Sequence, residues 1–331
     1  MSLKKYKLLE DIYYQREYLE LYLKKGESIF EFSYEQNESL FYSLAIKRVI
    51  KKVGNIKVSE NMYDLESVYG YGGFYSSSDD KEFIKKALLS YETECKKQNI
   101  ISEFIRFHPF NDTVKLLDGY FDFFHHDRDT VYVDCTVSKE LRWATYSCNT
   151  RNVLRRCEEE LTFTRSNDIE SFIELYEATM QKNEADDFYF FEREYFEKLL
   201  SLEGIALYNV MYKEKIIASA FFMFSQEFGH YHLSANNYEY KKQNANYYIL
   251  DSIFNLATQK GIKTFHLGGG RTNADKDSLL KFKQKFSKQT KPFYIAGKVY
   301  NKELYDRYTA LWEEQSSQNI AYFLKYRLEL L

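Results

Sequence analysis

Lys283 stands in Leu280-Lys281-Phe282-Lys283-Gln284-Lys285-Phe286, shortly after the run Gly268-Gly269-Gly270. A terminal amine close to a turn that lets backbone or ligand approach can stabilise charge developing on an oxygen. His232 can take a proton and Tyr189 can offer a phenol. Together these groups could move a proton and stabilise a developing anion. Each residue also has a plainer use. Lys283 lies among Lys276, Lys281, Lys285, Lys288 and Lys291, and a lysine run is ordinarily a solvated face. His232 and His266 can simply fill a sheet face. Tyr189, in Asp186-Asp187-Phe188-Tyr189-Phe190, can pack in a core, and the two aspartates can start a helix.

A second group of residues could line a binding surface. Tyr69-Gly70-Tyr71-Gly72-Gly73-Phe74 alternates phenols with glycines, so Tyr69, Tyr71, Gly72 and Gly73 could form a wall on which a sugar ring stacks, or a tight turn with surface aromatics. Arg106 and His108, in Arg106-Phe107-His108-Pro109, end a strand-like run, and Arg151 lies further on. Arginines can hold acceptor phosphates through paired hydrogen bonds, although isolated ones usually pair with acids. No metal-ligand spacing, G-x-S-x-G elbow or Walker loop is present, and Gly268 to Gly270 do not make a dinucleotide fingerprint.

The 331 residues allow one large domain or two medium ones. The 46 basic and 49 acidic residues give a net charge of -3, which argues against general nucleic-acid coating and against DNA as a partner. Cys95, Cys135, Cys148 and Cys157 form no C-x-x-C pair, which suits free thiols in a reducing compartment. Charges interrupt the opening Met1 to Gln15, and the apolar run Ile216 to Phe224 is too short to span a bilayer. The expectation is a cytoplasmic protein, able to touch a membrane surface but not integral to it. No tightly bound cofactor is expected.

The elements around these residues follow from periodicity. Gly229 to Ala235 alternates as a strand, Asn244 to Gln259 has a wide apolar face at helical spacing, and Phe265 and Leu267 alternate again. Strand, helix, strand at this length is one crossover unit with parallel strands, and Gly261 closes its helix. Before it come a helix capped by Asp168, a helix from Glu192, and strands Ile205 to Tyr212 and Lys215 to Ser225 turning at Lys213-Glu214. The first half offers a helix over Lys5 to Lys24, strands from Ile29 and Leu40, a strand from Tyr63 to Val68, a helix from Lys81 to Gln98 and a strand from Ile100 to Phe107. Short strands are expected at Val114 to Leu117, Tyr120 to Phe124 and Thr130 to Val137. A helix from Ser138 to Glu160, broken near Asn149, would connect the halves. A strand from Pro292 and helices over Glu303 to Gln315 and Ala321 to Leu330 close the chain. Both halves thus run strands, loop, helix, strand, which suggests two α/β (α+β) lobes of related fold. The boundaries are 1–137 for the first lobe, 138–160 for the connecting helix and 161–331 for the second.

This order of elements, with Tyr231-His232-Leu233-Ser234-Ala235, Phe265-His266-Leu267-Gly268-Gly269-Gly270 and Asp277 to Phe286, resembles the FemA/FemX-like group of the GNAT acyltransferase fold. That group comprises peptidoglycan-bridge aminoacyltransferases and related acyltransferases with tandem GNAT-like lobes, each a mixed sheet flanked by helices. The Tyr69 to Gly73 loop and Arg106 to Pro109 are similar to a subset often seen with surface-polysaccharide genes. The resemblance implies amide formation on an amino group of a nucleotide- or lipid-linked envelope precursor, either an amino sugar or a stem peptide. It implies a role for Lys283 at the transition state or the donor's terminal phosphate. It also implies a gap between splayed strands that takes the donor, lined by Leu233, Ser234, Ala235, Gly268, Gly269 and Phe282. The helix start at Gln243, Asn244, Ala245 and Asn246 would face the donor's phosphate. Ordinary GNAT enzymes carry R/Q-x-x-G-x-G/A there, but Lys242 to Asn246 has no glycine. That departure counts against ordinary acetyl-CoA binding and fits an aminoacyl-tRNA, so acyl-CoA and charged tRNA both stay open as cosubstrate. A non-catalytic two-lobed module that binds the same precursor is the other reading of this fold.

Overall fold

The computed structural model describes residues 6–117, 119–183, 190–274 and 277–330. The chain divides into two compact units, neither continuous in sequence. Unit 1 takes the segment ending at Ile12 together with Arg128–Lys291, and unit 2 takes Tyr13–Asp127 and the chain from Pro292 onward.

In chain order the elements begin with α1 (Arg16–Glu20), β1 (Ser28–Gln36), β2 (Ser39–Val49), β3 (Lys52–Val53), β4 (Ile56–Lys57), β5 (Tyr63–Glu66) and β6 (Tyr75–Ser76). They continue with α2 (Lys81–Lys97), β7 (Ile100–Arg106) and β8 (Phe123–Asp134). Then come α3 (Lys139–Ala144), α4 (Cys148–Glu160), β9 (Thr162–Ser166), α5 (Ile169–Lys182) and α6 (Arg193–Ser201). The hairpin strands β10 (Ile205–Tyr212) and β11 (Lys215–Phe224) lead to β12 (Phe228–Asn236), α7 (Ala245–Gln259), β13 (Thr264–Gly268) and α8 (Ser278–Lys283). The chain ends with β14 (Thr290–Val299) and α9 (Lys302–Glu313).

Unit 2 has β1, β2 and β5 antiparallel in that order, with β7 parallel to β5 and β14 antiparallel to β7. Helix α2 is the crossover from β5 to β7, and the Asp80 carboxylate caps it by accepting from Glu82 N. Unit 1 repeats the scheme. Strands β9, β10, β11 and β12 are antiparallel neighbours, α7 crosses over, and β13 runs parallel to β12. The last turns of β8 pair antiparallel with β13. Both units are therefore mixed sheets flanked by helices, as the two GNAT-like lobes were expected to be. The turns are local chemistry. Asn37 and Glu38 join β1 to β2, and Lys213 and Glu214 join β10 to β11, all with positive φ. Paired left-handed residues match the twist of a hairpin. The unit 1 core stacks Phe222, Phe254, Phe265 and Phe286 against Ile249 and Ile253, the apolar face of α7. The unit 2 core gathers Phe41, Phe74, Phe83, Tyr91 and Phe107.

Four local expectations give way to tertiary packing. Lys5 to Lys24 is not one helix: short turns of tight helix at Lys7–Glu10 and Ile12–Tyr14 precede α1. Ile12, Tyr13 and Tyr14 are all buried, and three consecutive residues cannot share one helical face. The segment over 114–137 forms a tight helical turn at Asp112–Leu116 and the single long strand β8 rather than three short strands. The expected connector is two helices, α3 and α4, because Ser147 leaves the helical conformation to accept from Thr150 N as a new cap. Both lie in unit 1, and the boundaries between units fall after Ile12, within β8 and near the start of β14, not at the ends of this segment. Ala321 to Leu330 keeps only a short turn, Lys325–Arg327. Arg327 donates to Asp64 and to the carbonyls of Val49 and Arg48, and Trp312 Nε1 donates to Leu328 O. Those bonds hold the tail extended along unit 2.

Candidate active site

The site grows from the way β12 and β13 part. Their parallel ladder has three pairs, ending at His230–His266. Strand β12 runs on to Asn236, so Leu233, Ser234 and Ala235 pass beyond the ladder with β11 as their strand neighbour on one side only. Phe221 is opposite Leu233 and Phe222 opposite Tyr231, which makes His232 the extra residue of a β-bulge. The bulge re-aims the strand where the gap opens. Buried backbone seeks partners, so such an edge suits the amide-rich arm of an extended ligand.

His232 is partly exposed, and its Nε2 lies 3.1 Å from the Tyr195 hydroxyl. Burial and the neighbouring His230 push its pKa down to about 3, so the ring is neutral near pH 7 and weakly basic. His230 is buried, with Nε2 2.7 Å from Asp11 Oδ2, and its ring meets His266 edge-on at 5.5 Å. These two histidines fill the closed end of the gap.

At the other end of β13 the chain turns through Gly268, Gly269 and Gly270. Gly268 has φ +73°, and a Cβ on Gly270 would sit 2.5 Å from Asp277 Cγ. The close approach that the glycines permit is made by the chain itself: Arg128 Nη1 donates to Gly270 O at 2.9 Å. Lys283, the last residue of α8, is only 6% exposed, and its Nζ donates to Gly269 O at 2.6 Å. Burial pushes its pKa down to about 7, against the attraction of Asp277 and with the help of the Arg128 charge. A lysine near pH 7 can serve as cation or as neutral amine. Asp277 accepts from Arg271 N, Thr272 N and Leu280 N at 2.9–3.1 Å, tying the turn to the start of α8. Burial opposes the Asp277 charge, but these amides keep its pKa below the ordinary value. Phe282 is half-buried and packs edge-on against Tyr247 and Phe286.

The start of α7 is the third wall. Asn244 takes the left-handed conformation at φ 55°, and no side chain caps the helix there. The carbonyls of Lys242 and Gln243 turn toward α4, accepting from Arg156 Nη2 at 3.3 Å and Cys157 Sγ at 3.3 Å. Ala245 is buried and Asn246 half-buried, while Lys241 and Lys242 are exposed beside them. An uncapped helix start among cations suits a phosphate. Unit 1 thus holds His232, Leu233, Ser234 and Ala235 on β12, Gln243 to Asn246 at the start of α7, Gly268 and Gly269 at the end of β13, and Phe282 and Lys283 on α8.

The expected acceptor residues are otherwise engaged. In unit 2, Tyr71 packs edge-on against Tyr13 at 5.2 Å and Phe293 at 5.2 Å. Tyr69 leans on Tyr22, and its carbonyl accepts from Tyr18. Gly72 O accepts from Tyr14 Oη at 2.9 Å and His108 N at 3.0 Å. Gly73 has φ +89°, and a Cβ there would lie 2.7 Å from Phe107. His108 is buried, with Nδ1 accepting from Phe110 N. The Arg106 guanidinium donates to Glu66 at 2.6 Å and to Ser67 O at 3.0 Å. Arg151 belongs to unit 1, where it donates to the carbonyls of Trp143 and Tyr146 and closes the end of α3. Tyr189 lies outside the described residues. Sequence reasoning missed Arg128, Tyr195 and Asp277 as site residues. Arg128 and Tyr195 are far from the gap in sequence and carry no motif, whereas Asp277 could have been read as the cap of α8.

Residues 146–283 match the family model described as the acetyltransferase (GNAT) domain, a span that ends on Lys283 itself. Over that span the chain has the GNAT fold. Its fold is similar to that of FemX, at 14% identity and a TM-score of 0.74, over 93% of this chain and 98% of FemX. It is also similar to the C-terminal domain of a protein named as a lysylphosphatidylglycerol synthetase from Agrobacterium fabrum, at 14% identity and a TM-score of 0.52, over 84% of this chain and 88% of that one. L-PGS from Bacillus licheniformis gives 14% and 0.51, over 81% and 84%. At these identities the likeness is one of fold. No curated protein matches the chain in sequence. Among the described residues, no helix is long and apolar enough to cross a membrane.

Proposed function

We propose that the protein transfers an acyl or aminoacyl group to an amino group of a cell-envelope precursor, an amino sugar or a stem peptide carried on a nucleotide or a lipid. Amine nitrogen attacks the donor's carbonyl carbon, the carbonyl oxygen becomes the oxyanion of a tetrahedral intermediate, and the thiolate or the 3′-oxygen of the donor leaves with a proton. The observation that carries this reading is the buried Lys283 at the mouth of an open β12–β13 gap. Protonated, it stabilises the oxyanion or the donor's last phosphate. His232 takes no proton easily at neutral pH, so its role is to orient groups with Tyr195. Tyr69, Tyr71, Gly72, Gly73, Arg106, His108 and Arg151 are proposed for the acceptor by way of the rings and backbone they hold in place. The lysylphosphatidylglycerol synthetase name among the similar folds supports an aminoacyl donor and an envelope role. The peptidoglycan and surface-polysaccharide settings both belong to this proposal.

The donor is decided by melting temperature. Acetyl-CoA and aminoacyl-tRNA are each titrated against the protein. The true donor stabilises by about 2.7 kcal/mol at a hundred times its Kd. Product amide must form with that donor and fail with Lys283→Ala. A ligand-stabilised protein that acylates no amine with either donor overturns the transferase reading in favour of a binding module.

A further inference from the structure

We propose that unit 2 docks on the surface of an anionic lipid bilayer through five lysines gathered around the β3–β4 hairpin. Lys24 and Lys25 stand in the turn between α1 and β1, Lys51 and Lys52 at the join of β2 to β3, and Lys57 at the end of β4. All but Lys57 line one cleft of about 420 Å³, together with Gly54 and Asn55 of the hairpin turn. Lys57 joins them through the hairpin, because it is the register partner of Lys52 and directly opposed residues share a face. The whole cluster belongs to unit 2, whereas the donor gap belongs to unit 1.

All five lysines are exposed, and among the described residues none of them is in an ion pair. Elsewhere in unit 2 cations meet acids: Arg48 and Arg327 hold Asp64, Arg106 holds Glu66, Arg307 holds Glu60 and Lys325 holds Glu313. At the hairpin like charges are set together instead. Lys52 and Lys57 oppose each other across the two strands, which costs stability when no anion is near. Lys51 Nζ lies over the neighbouring turn, 3.5 Å from Lys25 O. The acids of the cleft, Glu27 and Glu329, leave three of the five positive charges in surplus, and Glu27 also accepts from Lys24 N at 2.8 Å. The hairpin is held against this repulsion. Gln315 accepts from Asn55 N at 3.0 Å and donates to Val53 O at 3.2 Å, and Val53 is buried in one cluster with Trp312 and Leu324. Lysine is a compact charge on a flexible stem, which suits a field of headgroup phosphates rather than one fixed phosphate. Nucleic acid fits less well. Single strands are held by bases stacked on aromatic rings, and the aromatic of this cleft, Tyr326, is 1% exposed with its hydroxyl bonded to Asp64 and Ser102. The guanidinium there, Arg327, is taken up by Asp64 and two carbonyls. Ile56, beside the turn on the hairpin's opposite face, is 43% exposed. A bilayer met tip-first takes that aliphatic side chain as well as the lysines, and a phosphate backbone has no place for it.

Sedimentation of the full chain with phosphatidylglycerol–phosphatidylcholine vesicles tests this, with pure phosphatidylcholine vesicles alongside. The chain's net charge is -3, so attraction to an anionic surface has to come from a local cluster. Binding is expected to the anionic vesicles alone and fades as salt is raised. Lys51→Gln and Lys52→Gln should each weaken it about fivefold, and the double variant about 25-fold. Lys85→Gln with Lys86→Gln, exposed on α2 in the same unit, removes the same charge and should leave binding intact. Exposed lysines of this kind can be exchanged without unfolding the chain. Failure to bind the anionic vesicles overturns the proposal, as does equal binding to both kinds or an equal loss from the hairpin and α2 pairs. So does displacement of the vesicles by inorganic phosphate or by a single-stranded oligonucleotide at the same phosphate concentration, which makes the cluster a site for a soluble anion or for nucleic acid. The assay needs neither acyl donor nor amine, so its failure leaves the transferase reading standing.

Discussion

Replacing Lys283 by methionine should make the protein more stable and less active at once. The amine's pKa falls from 10.5 to about 7 on folding, chiefly through burial. A difference of about 3.5 units corresponds to about 5 kcal/mol of penalty on the charged folded form, as an upper bound. Methionine fills similar space without the charge, but it leaves Gly269 O without the Nζ donor, at about 1–3 kcal/mol. The net gain at pH 7 is then about 2–4 kcal/mol. The sign reverses with pH. Between about pH 7 and 10.5 the unfolded chain holds a proton that the folded chain has released, so wild-type stability rises with pH in that window. The advantage of Lys283→Met is full below pH 7, shrinks through the window, and ends as a deficit of about 1–3 kcal/mol, the lost hydrogen bond alone. Urea denaturation of both proteins at a series of pH values measures it, and their difference cancels groups that titrate alike in both. A difference that does not change with pH, or a variant less stable than wild type at pH 6, refutes the buried-charge argument. Turnover of the variant should fall at least about a hundredfold, the scale of losing one oxyanion donor. Wild-type turnover refutes the catalytic role separately.

Asp277→Ala removes the acceptor for three amides and should cost about 1–2 kcal/mol by denaturation, with turnover falling because the Gly268–Gly270 turn loses its tie to α8. Gly73→Ala puts a Cβ against Phe107 at φ +89° and should destabilise by about 1–3 kcal/mol in thermal melts. Glu103 is buried in unit 2, where burial raises its pKa to about 7 against the pull of hydrogen bonds from Tyr300 at 2.6 Å and Tyr91 at 2.9 Å. Its contribution to stability is full below about pH 4.5 and is lost as pH rises through about 7, so Glu103→Gln should flatten the fall in that window. Tyr195→Phe leaves His232 without its phenol and should lower turnover while changing stability by no more than about 1.5 kcal/mol.

The crossover β12–α7–β13 was legible because its three periods are clean and its boundaries carry their own chemistry. Gly261 takes the left-handed conformation just after α7, as Lys213 and Glu214 do in the β10–β11 hairpin before the crossover. Caps were readable where a short polar side chain precedes a helix, as at Asp80, Ser138 and Asp168. What sequence did not disclose is set by partners distant along the chain. The Ala321 to Leu330 tail has helical propensity, but Asp64 and the Val49 and Arg48 carbonyls hold Arg327 outside a helix. Lys283 looked like one lysine of a solvated run, and its neighbours Lys281 and Lys285 are indeed exposed. Only α8, ending against the Gly269 carbonyl, sets Lys283 apart from them.

The two units share a strand order, so fold alone does not say which one should hold the donor. The accounting of backbone hydrogen bonds does. In unit 2 the chain beyond the β5–β7 ladder is closed on itself: Ser67 N donates to Phe104 O, Arg106 N to Ser67 Oγ, and His108 N to Gly72 O. Arg48, bonded to Asp64 and Glu66, and Arg106, bonded to Glu66, seal the same stretch with charge. A donor threading between β5 and β7 would have to displace bonds already made, including those of buried ions, at several kcal/mol. In unit 1 the ladder stops at His230–His266, and among the described residues no loop bridges to β13 as Gly72 bridges to Phe107 at the end of β7. Cations and an uncapped helix start stand beside that opening. One copy of the fold has thus been made rigid and the other left with a groove. The span that matches the acetyltransferase model, residues 146–283, falls wholly in the copy with the groove.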